Sequence, residues 1–397
     1  MAISVEQAIR CMLDRTPVLD PEQVPLEEAL GRCLAQNLYA RYAQPPFDRS
    51  PLDGYAARGE DLAGAAPDAP VTLRVVDKLY AGDVSLVPVE PGQAVRLMTG
   101  SMIPQGADCV IMQEDTDEGE DVVRIFRSVS AGSNICWEGE EYPAGDLLLP
   151  GGRRLDAPAI AVAAGAGYRT LPVRRLRAVI LATGDELQQP GEALRPGRIY
   201  DSNGAYLQVC LREMGAEVLD VRAVGDNTAR IAAAIEHCSA AADLILTTGG
   251  VSVGQKDLME AAVMEAGGRV LFHGLDMKPG MPTMLSERNG TLILSLSGNP
   301  FSAAVPFFLL MRPMAARMLQ DTGWEPQWET ARAVTPFEKD SPVRRFIPGT
   351  CLNGEAAIPP KQANGQMRSM IGCNCLIDIP AGSGPVRVGD PVRILPL

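Results

Sequence analysis

Four short strings hold most of the residues able to do chemistry, and each follows an apolar run. They are Thr183-Gly184-Asp185-Glu186, Gly225-Asp226-Asn227, Thr247-Thr248-Gly249-Gly250-Val251-Ser252-Val253-Gly254 ahead of Lys256-Asp257, and Ser297-Gly298-Asn299-Pro300. Glycines and hydroxyls ahead of a helix start offer backbone N–H groups and the positive end of a helix dipole to an anion. Gly249 and Gly254 stand at the spacing of a nucleotide phosphate loop, but Gln255 occupies the place of its lysine, which disfavours ordinary nucleoside triphosphatase chemistry. Two readings of this loop stand: an anion cradle, or a glycine-rich turn that serves packing alone. Glu186, Asp226 and Asp257 add carboxylates to the same set of loops. Carboxylates beside an anion repel it unless a hard cation intervenes, and magnesium takes one or two carboxylates together with substrate phosphates. An N-cap role competes with that reading for Asp226 and Asp257. Lys278, bracketed in Met277-Lys278-Pro279-Gly280-Met281-Pro282, has a stiffened backbone suited to anion capture, against the alternative of a solvated loop lysine.

The elements that must position these strings alternate strand and helix. Strands are predicted at Leu176 to Ala182, Val218 to Val224, Leu244 to Thr248, Val270 to Phe272 and Leu292 to Leu296, with helices at 203–214, 228–241, 257–266 and from Pro300. Buried strands joined by helices make a mostly parallel, doubly wound sheet, whose ligands collect beyond the carboxyl ends of the strands. The chain begins with a predicted helix: Ser4 and Gln7 form a capping box ahead of Val5, Ala8, Ile9, Met12 and Leu13 at helical spacing. A second helix is expected from Pro25, with Leu26, Ala29, Leu30, Cys33 and Leu34 as its stripe. A third, Ala157 to Ala166, is expected to pack near these two. Between about 68 and 140 the period falls to two, in runs such as Val71 to Val76 and Cys109 to Met112, which marks a small β domain. Short strands and turns return from 326 to 397 as a second one. Asp53-Gly54-Tyr55 and Thr99-Gly100-Ser101, taken singly, read as turns.

Composition removes several function classes. Only two histidines, His237 and His273, leave no room for a site of two or three histidine ligands and little for a Ser-His-Asp relay. Lys+Arg 36 against Asp+Glu 49 gives a net charge of −13, and aromatics are 5%, so a nucleic-acid partner is excluded for want of a cationic or stacking surface. Nine scattered cysteines read as reduced thiols of a cytoplasmic protein rather than a disulfide frame or zinc ribbon. No stretch reaches the ~18 apolar residues of a membrane span.

The strings in their order resemble the molybdopterin molybdenumtransferase family, the bacterial MoeA proteins and the E domain of gephyrin. The resemblance runs over essentially the whole chain and rests on Ser50-Pro51-Leu52-Asp53-Gly54-Tyr55-Ala56, Met98-Thr99-Gly100 with Pro104 and Gly106-Ala107-Asp108, Thr183 to Leu187, Thr248 to Gly254 with Asp257, Lys278-Pro279-Gly280, and Ser297 to Pro300. It implies an α/β multi-domain protein: a helical dimerisation domain over 1–50 and 141–175, an inserted β domain over 51–140, a doubly wound MoaB/Mog-like domain over 176–325, and a barrel-like β domain over 326–397. It implies a homodimer, with Asp53 and Thr99 brought to the pocket by a partner's β domain. The implied reaction inserts molybdate into adenylylated molybdopterin with magnesium and releases AMP. The implied roles are Glu186, Asp226 and Asp257 for nucleotide and metal (Glu186 and Asp257 as magnesium ligands), Gly249, Gly250, Ser252 and Gly254 for phosphates or pterin, and Lys278, Pro282, Asn299 and Pro300 for the anionic substrate. The molybdopterin adenylyltransferase is a further implied partner. The sequence departs from the family pattern at Met281, where a second lysine is common, and at Ser297, Cys136-Trp137 and Asn364, which leaves the pocket with less positive charge. A catalytically weakened binding or scaffold protein of the same fold is the alternative reading.

Overall fold

The computed structural model describes residues 2–251, 258–359 and 367–397. Contacts divide the chain into two compact units: residues up to Gln36, Gly151–Asp156 and Thr170–Leu397 form the first, and Asn37–Pro150 with Ala157–Arg169 the second.

The first unit opens with helix α1 (Val5–Leu13), started by the reciprocal Ser4–Gln7 capping box that its sequence predicts. Its α/β body comprises β1 (Arg177–Thr183), α2 (Ser202–Glu213), β2 (Glu217–Val224), α3 (Thr228–Cys238), β3 (Leu244–Thr248), α4 (Leu258–Glu265), β4 (Arg269–His273), β5 (Met284–Arg288), β6 (Thr291–Leu296) and α5 (Pro300–Leu319). The six strands lie in the order β2-β1-β3-β6-β5-β4. The first four are parallel, while β5 runs antiparallel to β6 and β4 antiparallel to β5. Alternate strand residues face opposite layers. Ala178, Ile180, Leu244 and Leu246 pack with Leu207 of α2, Met12 of α1 and Phe307 of α5, whereas Val179, Leu181 and Ile245 pack with Ile231 of α3 and Met259 of α4. Period-two burial on both faces is what makes these strands read as continuous apolar runs.

A closed barrel follows, built from β7 (Glu329–Ala333), β8 (Arg345–Leu352), β9 (Glu355–Ala357), β10 (Cys375–Ile379) and β11 (Pro391–Pro396). Its Phe346, Leu376 and Leu395 join the same buried cluster as Phe307 of α5. The second unit carries a five-stranded sheet of Gly54–Ala57, Val71–Leu79, Gln93–Leu97, Cys109–Met112 and Val122–Ile125, a short pair Leu38–Tyr39 with Leu147–Leu149, and a helix at Ala157–Gly165.

One expectation from local pattern is corrected. The helix from Pro25 to Leu34 is a strand, Pro21–Pro25, followed by one 3-10 turn, Leu26–Glu28. Gly31 has φ +74°, and the backbone beyond it pairs at a distance: the amide of Gly31 donates to Leu155 O (2.8 Å) and that of Leu34 to Arg153 O (2.9 Å). These long-range bonds outweigh a short helical stripe. Helix α1 packs on α5 and β4 within the first unit. All nine cysteines are unpaired thiols. Burial pushes Cys33 and Cys210 up to about 11, and Cys109 and Cys375 up to about 12.

Candidate functional site

From β1 the chain crosses to β2 on one side and later to β3 on the other, so the strand order reverses between β1 and β3. That is the crevice where open α/β sheets take ligands. The loops beyond these strand ends line one cavity of about 930 Å³.

Thr183, the last residue of β1, is buried, and its Oγ1 donates to Thr248 O at the end of β3 (3.1 Å). The chain turns there on Gly249, at φ +87°, where a Cβ would lie 2.4 Å from Thr183 O. Gly250, at φ +67°, continues the turn, and the amide of Gly249 is pinned to Leu296 O (3.1 Å). No residue with a side chain fits this approach, so the turn requires glycine for packing whatever else it does. On the β6 side Asn203 Nδ2 donates to Gly298 O (2.8 Å), and Asn299 N donates to Ser297 Oγ (3.2 Å). Asn299, Pro300 and Ser302 then bring the positive end of α5 to the cavity wall.

Glu186 and Asp226 line the same cavity, and both are exposed. Neither side chain makes a hydrogen bond or ion pair among the described residues. The N-cap alternative for Asp226 is settled by its neighbour: Asn227, not Asp226, accepts from Arg230 N (3.0 Å) to cap α3. Among the described residues no group of three or more His, Cys, Asp and Glu is placed to hold a metal ion. The donors present, two carboxylates with open oxygens, suit a hard cation completed by water and phosphate oxygens.

Lys278 reaches the cavity from the segment between β4 and β5, with Pro279, Met281 and Pro282 beside it. Its amide donates to Arg344 O (2.8 Å), and its carbonyl accepts from Phe346 N (2.9 Å). Gly280, at φ +94°, would place a Cβ 2.8 Å from the Pro306 ring, so the segment lies directly on α5. This Pro-Gly bracket holds the lysine backbone on both sides.

Of the residues expected from sequence, the structure therefore brings Glu186, Asp226, Gly249, Gly250, Lys278, Pro282, Asn299 and Pro300 to one cavity. Ser252, Gly254 and Asp257 lie outside the described residues. Asp53 and Thr99 belong to the second unit, where the amide (2.7 Å) and hydroxyl (2.8 Å) of Thr99 both donate to Asp53 Oδ1. The backbone bond first, and then the hydroxyl, hold the Asp53 carboxyl below its usual range. Asp201 was missed: it is buried, lines the cavity and caps α2 by accepting from Gly204 N (2.8 Å). The Asp201-Ser202-Asn203 string ahead of a helical run was the available signal.

Comparison with known proteins gives the same answer along the chain. Residues 3–167 match the family model of the MoeA N-terminal region (domain I and II), 179–317 that of a probable molybdopterin binding domain, and 330–397 that of the MoeA C-terminal region (domain IV). The molybdopterin molybdenumtransferase of Staphylococcus epidermidis is 32% identical over 99% of this chain and 95% of its own length. Molybdopterin molybdenumtransferase 2 of Mycobacterium tuberculosis is 34% identical over 98% of both. Two solved MoeA chains from Pyrococcus horikoshii, each 29% identical and covering 100% of this chain, superpose with TM-scores of 0.84 and 0.74. With a cavity at the switch point and whole-length likeness to these relatives, the chain belongs to the molybdopterin molybdenumtransferase family.

Proposed function

We propose that the chain acts in molybdenum cofactor biosynthesis, inserting molybdate into adenylylated molybdopterin with release of AMP. The observation that carries this reading is the single cavity that joins the Gly249–Gly250 turn, the first turn of α5, Lys278 and the carboxylates Glu186 and Asp226. Amides and Lys278 attract phosphate and oxyanion charge, and the carboxylates make the site selective for anions that arrive with a hard cation. Magnesium, when bound, neutralises phosphate charge at that edge. Glu186 and Asp257 are its proposed ligands, and Asp226 orients the nucleotide beside them. Pro282, Asn299 and Pro300 shape the wall against which the anionic substrate rests, and Ser252 and Gly254 are further proposed contacts for phosphates or pterin.

The proposed functional unit is a homodimer, in which Asp53 and Thr99 of a second copy complete the pocket. The helix Ala157–Gly165 supports it: its residues are apolar all round, yet Ala157, Pro158, Ala161 and Ala164 are exposed. A helix apolar on every side is normally covered. The division into 1–50 with 141–175, 51–140, 176–325 and 326–397 belongs to the same proposal, as do a cytoplasmic setting and receipt of substrate from the molybdopterin adenylyltransferase. No helix among the described residues is long and apolar enough to cross a membrane. The scaffold alternative is not favoured, since the whole-length relatives are named as transferases. The test is AMP release from adenylylated molybdopterin by the purified chain, with molybdate and magnesium each omitted in turn. Release that needs both is expected; none under any condition would sink the reading.

A further inference from the structure

The first turn of α5 owes its place in the cavity wall to two side chains outside that helix. No side chain caps α5, and Pro300 at its start has no amide, so the amides of Phe301 and Ser302 have no acceptor among the described residues. Open amides serve an anion well only where the backbone ahead of them is held still, because each must meet its oxygen without reorganising. That backbone is the Gly298–Asn299 peptide unit, and both of its polar atoms are taken. Gly298 O accepts from Asn203 Nδ2 (2.8 Å), and Asn299 N donates to Ser297 Oγ (3.2 Å). Asn203 is 8% exposed and lies in the first turn of α2, where the capping Asp201 is itself tied by its amide to Gln188 O (3.0 Å). Leu187 and Gln188 pair with Ile199 and Tyr200, and Ile199 N donates to Glu186 O (2.9 Å). The start of α2 therefore joins the backbone that carries Glu186 to the turn ahead of α5. Gly298 also lies against the glycine turn of β3, since a Cβ on it would stand 3.5 Å from Gly249 Cα.

We propose that Asn203 and Ser297 are positioning residues for phosphate binding, acting together on the Gly298–Asn299 peptide unit so that the open first turn of α5 meets the substrate in one orientation. This deepens the insertion reading and rests on it for the identity of the substrate. Neither side chain has to touch the phosphate. A free Gly298 carbonyl would add partial negative charge at an anion site, whereas bonded to Asn203 it is committed to α2. Glycine has no side chain through which packing could hold this unit, so its two hydrogen bonds do so instead. Bonds at opposite ends of one peptide plane fix its rotation jointly, and losing either releases the same motion.

The experiment measures, on the full chain, AMP affinity by calorimetry with magnesium present, kcat and KM for AMP release from adenylylated molybdopterin, and the thermal midpoint. Losing one neutral hydrogen bond predicts AMP affinity about two- to tenfold weaker in Asn203→Ala and in Ser297→Ala, with KM raised in proportion and kcat near wild type. Ser297→Thr keeps the hydroxyl and is expected at wild-type values. The double alanine variant is expected to bind little more weakly than the weaker single one, because both bonds restrain one unit. Ser297 is only half-buried, so its pair of variants carries the test if Asn203→Ala folds poorly. Unchanged AMP affinity in Ser297→Ala, losses that multiply in the double variant, or a lowered thermal midpoint with unmoved affinity and KM overturns the assignment. A wild type that binds AMP but releases none from adenylylated molybdopterin, with affinity still falling in the variants, supports the assignment while removing the insertion reading. AMP release with KM unmoved in both alanine variants does the reverse. A wild type that neither binds nor releases AMP overturns both.

Discussion

The Asp53 carboxylate accepts two hydrogen bonds on one oxygen, from the amide and the hydroxyl of Thr99. Both favour the charged form, so its pKa lies below the ordinary carboxylate value of about 3.9. The sign follows directly: with a depressed folded-state pKa, the stabilisation from these bonds is complete above the ordinary value and is lost as pH falls through the depressed one. Thr99→Val removes the hydroxyl and keeps the amide. The Asp53 pKa is therefore expected to rise part of the way back, as read by carbon-detected NMR titration of the carboxylate; an unmoved titration would mean that the amide alone sets it. Residues of this kind were only half legible in the sequence. Glu186, Asp226 and Lys278 stood out by type and by position after an apolar run. Arg344 and Arg345 could not be told apart, because nothing local says which of two adjacent arginines has its counter-ion, and Asp378 lies 34 residues from Arg344.

Among the elements, those with their own periodicity were the most readable. The expected strand Leu244 to Thr248 is β3 to the residue, and α1 begins on its capping box. Strand β5, Met284–Arg288, escaped notice because it follows the Pro-Gly bracket closely and pairs antiparallel with both its neighbours, β6 and β4, in a sheet expected to be mostly parallel. The segment after Pro25 was misread because its partners, Arg153 and Leu155, are more than a hundred residues away. The helix Ala157–Gly165 was found from composition alone, and its exposed alanines give the dimer proposal its sharpest test. Ala161→Glu keeps a good helix former at an exposed position, so the monomer is expected to fold with unchanged circular dichroism. Light scattering is expected to show wild type at twice the 42.3 kDa of one chain and Ala161→Glu shifted toward one. A wild type at one chain mass would remove the dimer.

At the scale of the whole molecule, the doubly wound order was implied by the alternation of elements, but the docking of the barrel onto the α/β body was not. Phe346, Leu376 and Leu395 share a core with Phe307, and that packing sets Arg345 beside Lys278. Sequence describes each module and says little of how one leans on another. The nine unpaired cysteines take on a different meaning beside a substrate whose own chemistry is sulfur-based. The thiolate, not the thiol, is the ligand for a soft or thiophilic metal centre. With burial holding Cys33, Cys109, Cys210 and Cys375 protonated well above neutral pH, these four sulfurs are poor competitors with a dithiolene for molybdenum. Iodoacetamide at neutral pH should accordingly leave these four unmodified in the folded chain and label them once it is denatured, as read by peptide mass spectrometry. Prompt labelling of any of them in the native state would show a site where the enzyme could intercept the metal it is meant to deliver.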